Sequence, residues 1–329
     1  MQMHFIQRLR EKARKSHSPM GLYFMLVLVV LVLFICLPQF QKSSNLCDLL
    51  LRVVPLLIVA EGQTFVLISG GIDLSVSAVL SLSTSIASVT MEHNLGFGIV
   101  LCLCSGMVVG LINGLGITKL KINPFLMTLL TTTIVNGISL FIRPYPGGTI
   151  PAPFVNFMLA SIGEFPIGPF VLLVIFVIVG NMVLHKSKLG RHLFATGGNL
   201  DAAKLAGIKT NGVLITFYII SGFCAAFAGL YMAARITCGD PSVGASFQMQ
   251  SITAAVLGGT SLTGGQGGIM GTVIGAVILI MLGNVFNLLN FNIYWQQVIR
   301  GLILIFIVGF SQFHALKRKR TALHVSQPA

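Results

Sequence analysis

From residue 20 onward the chain returns repeatedly to runs of about twenty apolar residues, joined by connections too short to hold a separate domain. Coiled into a helix, a run of that length matches the ~30 Å hydrocarbon core of a bilayer. In hydrocarbon the helix is one of only two structures that satisfy every backbone N–H and C=O internally. Composition agrees: 55% of residues are hydrophobic and 9% charged, against roughly 25% charged in soluble domains. Too little charge is present to cover a water-facing surface. The 36 glycines suit helices that approach closely in lipid.

The pattern predicts an all-α integral membrane protein of about ten transmembrane helices. They fall near 20–38, 51–69, 72–90, 96–117, 123–142, 169–184, 212–234, 248–262, 267–288 and 297–313. The positive charges give this order a direction, because cytoplasmic connections carry the excess of Lys and Arg. With both termini in the cytoplasm, 16 of the 21 basic residues lie on that side, in residues 1–19, 118–122, 185–211 and 314–329. Lys42, Arg52, Arg143, Arg235 and Arg300 remain at the outer ends. The net charge of +13 is therefore read as topology and not as a nucleic-acid surface. Basic residues also precede the first apolar run. That run is of spanning length and no small-residue cleavage site follows it, so it is expected to stay as the first helix. The connection 143–168 contains Pro144, Pro146, Pro151, Pro153 and Pro166, with Pro169 at its edge. It is expected to lack regular helix.

Catalytic and metal chemistry find no support. The six cysteines show no zinc-site spacing, and Cys102 and Cys104, two apart on a helix, face different ways. They read as small packing residues. The seven histidines fall in connections or termini, and no nucleophile is accompanied by a base. No catalytic residue, bound metal or cofactor is expected on this chain.

Three segments stand apart. The first is Ser69-Gly70-Gly71-Ile72-Asp73-Leu74-Ser75. Its glycines permit a tight turn, and Asp73 and Ser75 can cap the next helix. A pathway role for the buried charge stays open beside that structural one. The second is Ala195-Thr196-Gly197-Gly198-Asn199-Leu200-Asp201-Ala202-Ala203-Lys204-Leu205-Ala206-Gly207-Ile208. Asn199 reads as an N-cap, Asp201 as favourable first-turn charge and Gly207 as the stop. A short helix with so small an apolar face suits docking in a partner's groove, or serves only as a surface connector. The third is Val256-Leu257-Gly258-Gly259-Thr260-Ser261-Leu262-Thr263-Gly264-Gly265-Gln266-Gly267-Gly268. It lacks the Gly-Lys-Ser/Thr ending of a phosphate-binding loop and reads as close-packed backbone at a helix break.

These segments, in this order, resemble the permease subunits of bacterial ATP-binding-cassette importers for monosaccharides such as ribose, arabinose, galactose and xylose. The resemblance covers about residues 20–313. It includes Gly62-Gln63-Thr64-Phe65-Val66, Lys119-Leu120-Lys121-Ile122-Asn123-Pro124-Phe125 and Leu189-Gly190-Arg191. It implies a single permease domain, 20–313, in the bacterial inner membrane, with a periplasmic loop 143–168 and a cytoplasmic coupling loop 185–211. It also implies a second permease copy, a periplasmic sugar-binding protein and a cytoplasmic ATPase that carries the ATP and magnesium. By the same resemblance Gly197, Gly198, Asn199, Ala202, Ala203 and Gly207 form the segment that docks on the ATPase. A bulky residue at Gly198 is then expected to uncouple transport while leaving membrane insertion intact. Ser77, where relatives commonly place glycine, and Glu61, where an apolar residue is usual, depart from the pattern.

Glu61, Gln63, Asp73, Ser75, Asn113 and Asn123 are candidates to line the translocation route, with Asn136 and Asn287 as further polar positions. Hydrogen bonding between helices explains them equally well. The main rival is an ion-coupled secondary sugar carrier. It would be expected to show ionisable residues deep in several helices, and only Glu61 and Asp73 qualify.

Overall fold

The computed structural model describes residues 38–292, and after them 294–296, 298–299, 301–302, 305 and 309. Among these residues it is all-helical apart from isolated bridges. The expected span near 20–38 lies outside them except for Pro38, the span near 297–313 is described only at the six scattered positions given, and both basic tails lie outside. Among the described residues, six helices are long and apolar enough to cross a membrane: α1 (Ser43–Ile68), α3 (Leu95–Thr118), α4 (Pro124–Ile142), α6 (Ile167–Asn181, continued by a π-helical turn to Lys186), α9 (Thr210–Ile236) and α11 (Ile269–Leu288). Shorter helices lie between them: α2 (Val76–Thr90), α5 (Ala152–Met158), α7 (Lys188–Gly198), α8 (Leu200–Leu205) and α10 (Phe247–Leu257).

Two expected spans are shorter than drawn. The one placed at 72–90 begins as helix only at Val76, and the one placed at 248–262 ends as helix at Leu257. Eleven residues reach about 16 Å at 1.5 Å per residue, half of a bilayer core. Their flanks are broken backbone: Asp73 to Ser75 before α2 are buried, as irregular structure at membrane depth must be, whereas Gly259, Thr263 and Gln266 after α10 are exposed. The proline-rich connection 143–168 also departs from expectation, because α5 forms within it. Pro151 precedes that helix and Pro153 lies in its first turn, where a missing N–H costs no hydrogen bond.

Helix α2 sits at the centre, with Val76 to Ser88 all buried. Its hydroxyls are satisfied locally and across helices: Ser83 Oγ donates to Ala226 O (2.9 Å), Thr84 Oγ1 to Asp240 O (2.8 Å), and Ser85 and Ser139 share a bond (2.9 Å). Helix α3 meets α9 through a glycine stripe. A Cβ at Gly106 would strike Gly222 O, one at Gly110 would strike Tyr218 O, and one at Gly114 would press on Ile215 Cα. Such small-residue contact replaces the hydrophobic drive that lipid cannot supply. The far sides of α3, α4 and α6 expose Val100, Ile112, Ile134, Phe141 and Ile178, an apolar girdle suited to acyl chains. Gly110→Leu is expected to destabilise the chain by the upper part of ~1–3 kcal/mol, read as a lower midpoint of thermal unfolding in detergent. Gly137→Ala, whose Cβ enters open space, should leave that midpoint in place; equal stability of both variants would refute the close-packed interface.

Helices α1 and α9 run antiparallel. Tyr231 Oη donates to Leu51 O (3.1 Å), Gly62 packs on Ser221 and Cys224, and the Phe65 and Phe217 rings lie 5.3 Å apart. The chain after each of them repeats the same sequence of elements. A long helix (26 or 27 residues) is followed by a broken segment, a short helix, a second long helix and a tight turn. Asp73 Oδ1 accepts from Ser75 N and Oγ (3.0 and 2.6 Å), and Asp240 Oδ1 accepts from Ser242 N and Oγ (2.8 and 2.7 Å). In the later turns Lys121 and Asn290 share a φ of +56°. Two residues on, Asn123 Oδ1 accepts from Phe125 N (2.9 Å) and Asn292 Oδ1 from Tyr294 N (3.0 Å). The two halves are thus one unit used twice with opposite direction, an inverted repeat of the kind on which many transporters are built.

Candidate functional site

The three singled-out segments meet at one end of the bundle, backbone on backbone. Gly265 N donates to Ile68 O (2.8 Å) at the end of α1. Gly197 lies against the same carbonyl so closely that a Cβ would overlap its oxygen, and a Cβ on Gly264 would press on Gly197 O and on Gly70. Gly70, Gly264 and Gly265 adopt φ of +86°, +84° and +72°, a region only glycine enters freely. Glycine is required twice over here, by torsion and by space.

Helices α7 and α8 project from this junction as a hairpin. Asn199 caps α8 as expected, its Oδ1 accepting from Asp201 N (3.1 Å) and Ala202 N (2.9 Å). Gly207 ends it at φ +79°, with Gly207 N bonded to Lys204 O (2.9 Å) and Ile208 N to Ala203 O (3.0 Å). Ala203 is buried against the body, whereas Ala202 and Gly207 are exposed and Leu205 is 91% exposed. The hairpin is held through Ala203 and Gly197 and presents its other face outward. Gly198 differs from its neighbour, since a Cβ there meets no atom within 4 Å. The spatial requirement for glycine falls on Gly197.

Just beyond the junction, four of the six expected route residues form one buried network. Asn113 Nδ2 donates to Ser75 Oγ (2.9 Å), Ser75 Oγ donates to Asp73 Oδ1, and Ser221 Oγ donates to Asp73 Oδ2 (2.8 Å). Gln63, with its amide oriented to suit its partners, donates to Asp73 O (2.9 Å) and accepts from Asp73 N (3.2 Å). All five residues are at most 2% exposed. The network ties α1, α3 and α9 to the segment that starts α2. Ser75 does not cap α2 as the sequence reading expects, because the nearer carboxylate captures its hydroxyl. Ser221 was not anticipated. A lone serine in an apolar helix reads as packing, and only the fold brings it to Asp73.

Glu61 lies apart from this network. It packs on Gly180 of α6, where a Cβ would overlap its carboxyl, and its Oε2 has no hydrogen-bond partner. Asn123 is exposed and caps α4.

Two cavities flank the buried centre. One, of about 720 Å³, opens at the hairpin end between Gly71, Lys121, Asn123, Thr196, Asn211 and Tyr218. The other, of about 790 Å³, lies at the opposite end between Arg52, Ser246, Gln250, Thr253, Asn284 and Asn287. Both volumes fall within the roughly 300–1,000 Å³ of small-molecule sites. Their polar lining is mostly amide and hydroxyl, with Lys121 and Lys204 in the hairpin-end cavity and Arg52 in the other, and no acidic group lines either. Arg52 is engaged with Asp48 (2.7 Å), and Lys204, at the rim of the hairpin-end cavity, with Asp201 (3.5 Å).

Comparison with known proteins fits a chain of this architecture. The family described as branched-chain amino acid transport system / permease component matches residues 45–308, which takes in both repeats and the hairpin. The chain belongs to this permease family. The ribose import permease of Bacillus subtilis is 36% identical over 328 residues, covering 96% of this chain and 99% of the relative. That of Haemophilus influenzae is 33% identical, covering 90% and 94%. An L-arabinose ABC transporter permease of Azospirillum brasilense is 35% identical, covering 89% and 88%. No solved structure matches the chain. The permease family makes the chain a multi-pass transport subunit and not an enzyme.

Proposed function

We propose that this permease is the membrane-spanning subunit of an ATP-driven importer that passes a monosaccharide, or a similar small polyol, across the bacterial inner membrane. In this reading the hairpin end faces the cytoplasm and α7–α8 dock on an ATPase, which binds ATP and magnesium. A sugar-binding protein delivers its cargo at the opposite end, and a second permease copy completes the assembly. Gly197, Gly198, Asn199, Ala202, Ala203 and Gly207 shape the docking hairpin.

The observation that carries this reading is the contact of the hairpin with the end of α1. A push on α8 passes through Gly197 to Ile68, and from there to the Asp73 network at the start of α2. Because these are backbone contacts without compliant side chains, displacement is transmitted and not absorbed. Full-length likeness to ribose and arabinose permeases supports a sugar over the amino acid of the family's description. Cavity chemistry supports it as well. An amino acid's ammonium calls for an acidic partner, and none lines either cavity, whereas the amides and hydroxyls present match a sugar's hydroxyls.

The test is uptake of labelled D-ribose and L-arabinose into proteoliposomes holding the chain with its cognate ATPase and binding protein. Uptake is expected to require ATP and all three components. Uptake that proceeds without ATP when a proton or sodium gradient is imposed would overturn the reading in favour of an ion-coupled carrier.

A further inference from the structure

Asn136 stands in the membrane-spanning helix α4, three residues past Thr133 at the centre of the span and so ~5 Å from its middle. It is exposed and makes no hydrogen bond among the described residues. Hydrocarbon offers a carboxamide no partner, so an Asn at this depth calls for one from protein. Its neighbours on the helix surface supply the rest of a contact. Leu126, Leu129, Thr133, Asn136 and Leu140 recur at steps of three and four residues, all five are exposed, and together they form one seam. Ile134, Ile138 and Phe141, the acyl-facing side, lie about a third of a turn away round the helix. The buried side of α4 packs on α2 and α3. Both ends of the chain join the described part elsewhere: Phe40 is buried against Leu49 and Met281, and Gly301 and Ile305 line the cavity beside α10 and α11.

We infer that this seam of α4 is the surface on which a second copy of this chain docks, with the two Asn136 carboxamides paired across the two-fold axis. This rests on the second permease copy in the reading above. Copies inserted in one orientation are related by an axis along the membrane normal, which sets α4 parallel to its counterpart. Each seam residue then meets its own copy, as in a parallel coiled coil, where a single Asn among apolar positions fixes register and partner number. A carboxamide suits such an axis because it both donates and accepts, so two identical ones satisfy each other. A charged side chain would repel its copy there, and an aliphatic one would set no register.

The test uses the importer assembled with its ATPase and binding protein in native membranes. Asn136→Cys and Leu129→Cys, oxidised with copper phenanthroline, are each expected to link to their own copy, because seam positions at the axis bring Cβ atoms near the ~3.5–4.5 Å of a disulfide. Ile134→Cys should link no more than the parent chain. The full chain labelled for energy transfer in lipid vesicles reads the amide's share: Asn136→Leu is expected to weaken pairing about threefold to tenfold, and Asn136→Gln to restore most of it. Linkage at Ile134→Cys in place of the seam variants, or pairing unmoved by Asn136→Leu, would overturn the proposal. If neither seam variant links in an importer that holds two copies, α4 faces lipid or the chain's own ends; the seam is then refuted and the importer reading stands. An importer with one copy, or with a different permease as its partner, refutes the second copy of that reading and the seam together.

Discussion

A Gly197→Val chain is expected to lose ATP-driven uptake by at least an order of magnitude. A single valine introduces a Cβ where the Ile68 carbonyl oxygen already sits, and Gly265 N bonds to that same oxygen. Neither atom can yield alone, because both belong to the junction of α1, α7 and the glycine segment 258–268. The hairpin must tilt away or the junction must open, and either severs the path from α8 to α1. Overpacking of this kind costs ~1–3 kcal/mol or more, set against a total stability of about 5–15 kcal/mol, so the chain should still insert. Gly198→Ala is the informative partner. Its Cβ meets nothing within the chain, so any loss of coupling there reports on the docked ATPase alone. Uptake and ATP hydrolysis measured together distinguish the cases. Hydrolysis without uptake marks a broken junction, and loss of stimulated hydrolysis marks lost docking. Normal uptake by Gly197→Val would exclude the proposed transmission.

Asp73→Ala is expected to be the most destabilising single change in the buried centre. It removes the acceptor of Ser75 N, Ser75 Oγ and Ser221 Oγ together. Each such hydrogen bond is worth ~0.5–1.5 kcal/mol net, and a buried group left without its partner costs ~1–3 kcal/mol. The three are not additive, so about 3 kcal/mol or more is the expected loss, measured as denaturant midpoint in detergent. Asp73→Asn keeps one acceptor oxygen and should fall between. A double-mutant cycle with Ser221→Ala should show a coupling of ~0.5–3 kcal/mol. Asp240→Ala provides the internal comparison. At the same turn of the opposite end Asp240 is only half-buried, and its carboxylate engages only Ser242. Its removal is expected within about 0.5 kcal/mol of the parent. If the two alanine variants proved equally stable, burial of the Asp73 network would count for nothing.

The hairpin was the part most legible from residues alone, because capping is local chemistry. Asn199, Asp201 and Gly207 sit within one short helix, and each acts on backbone a few residues away. The buried network around Asp73 was only half legible. Gln63, Asp73, Ser75 and Asn113 stand out as polar groups in apolar runs, but the runs say nothing about which helices adjoin. Ser221, which bonds Asp73, and Tyr218, which lines the hairpin-end cavity, carry no mark in their own neighbourhood. Glu61 draws attention by its charge yet lies apart, against Gly180. The repeat leaves faint traces in Asp73-Leu74-Ser75-Val76 against Asp240-Pro241-Ser242-Val243. Its second copy is cut by a shorter helix and by different glycine spacing, so the likeness becomes plain only in hydrogen bonds and torsions.

By itself, then, the sequence determined the solvent, the helical class and the hairpin. Those follow from the length of apolar runs, the scarcity of charge and capping residues, all of which act along the chain. The broken half-helices, the stacking of three glycine segments and the inversion of the two halves were decided by tertiary structure. Each depends on contacts between residues far apart in sequence. In a uniformly apolar chain, a residue that faces lipid and one that faces a neighbouring helix are written in the same letters.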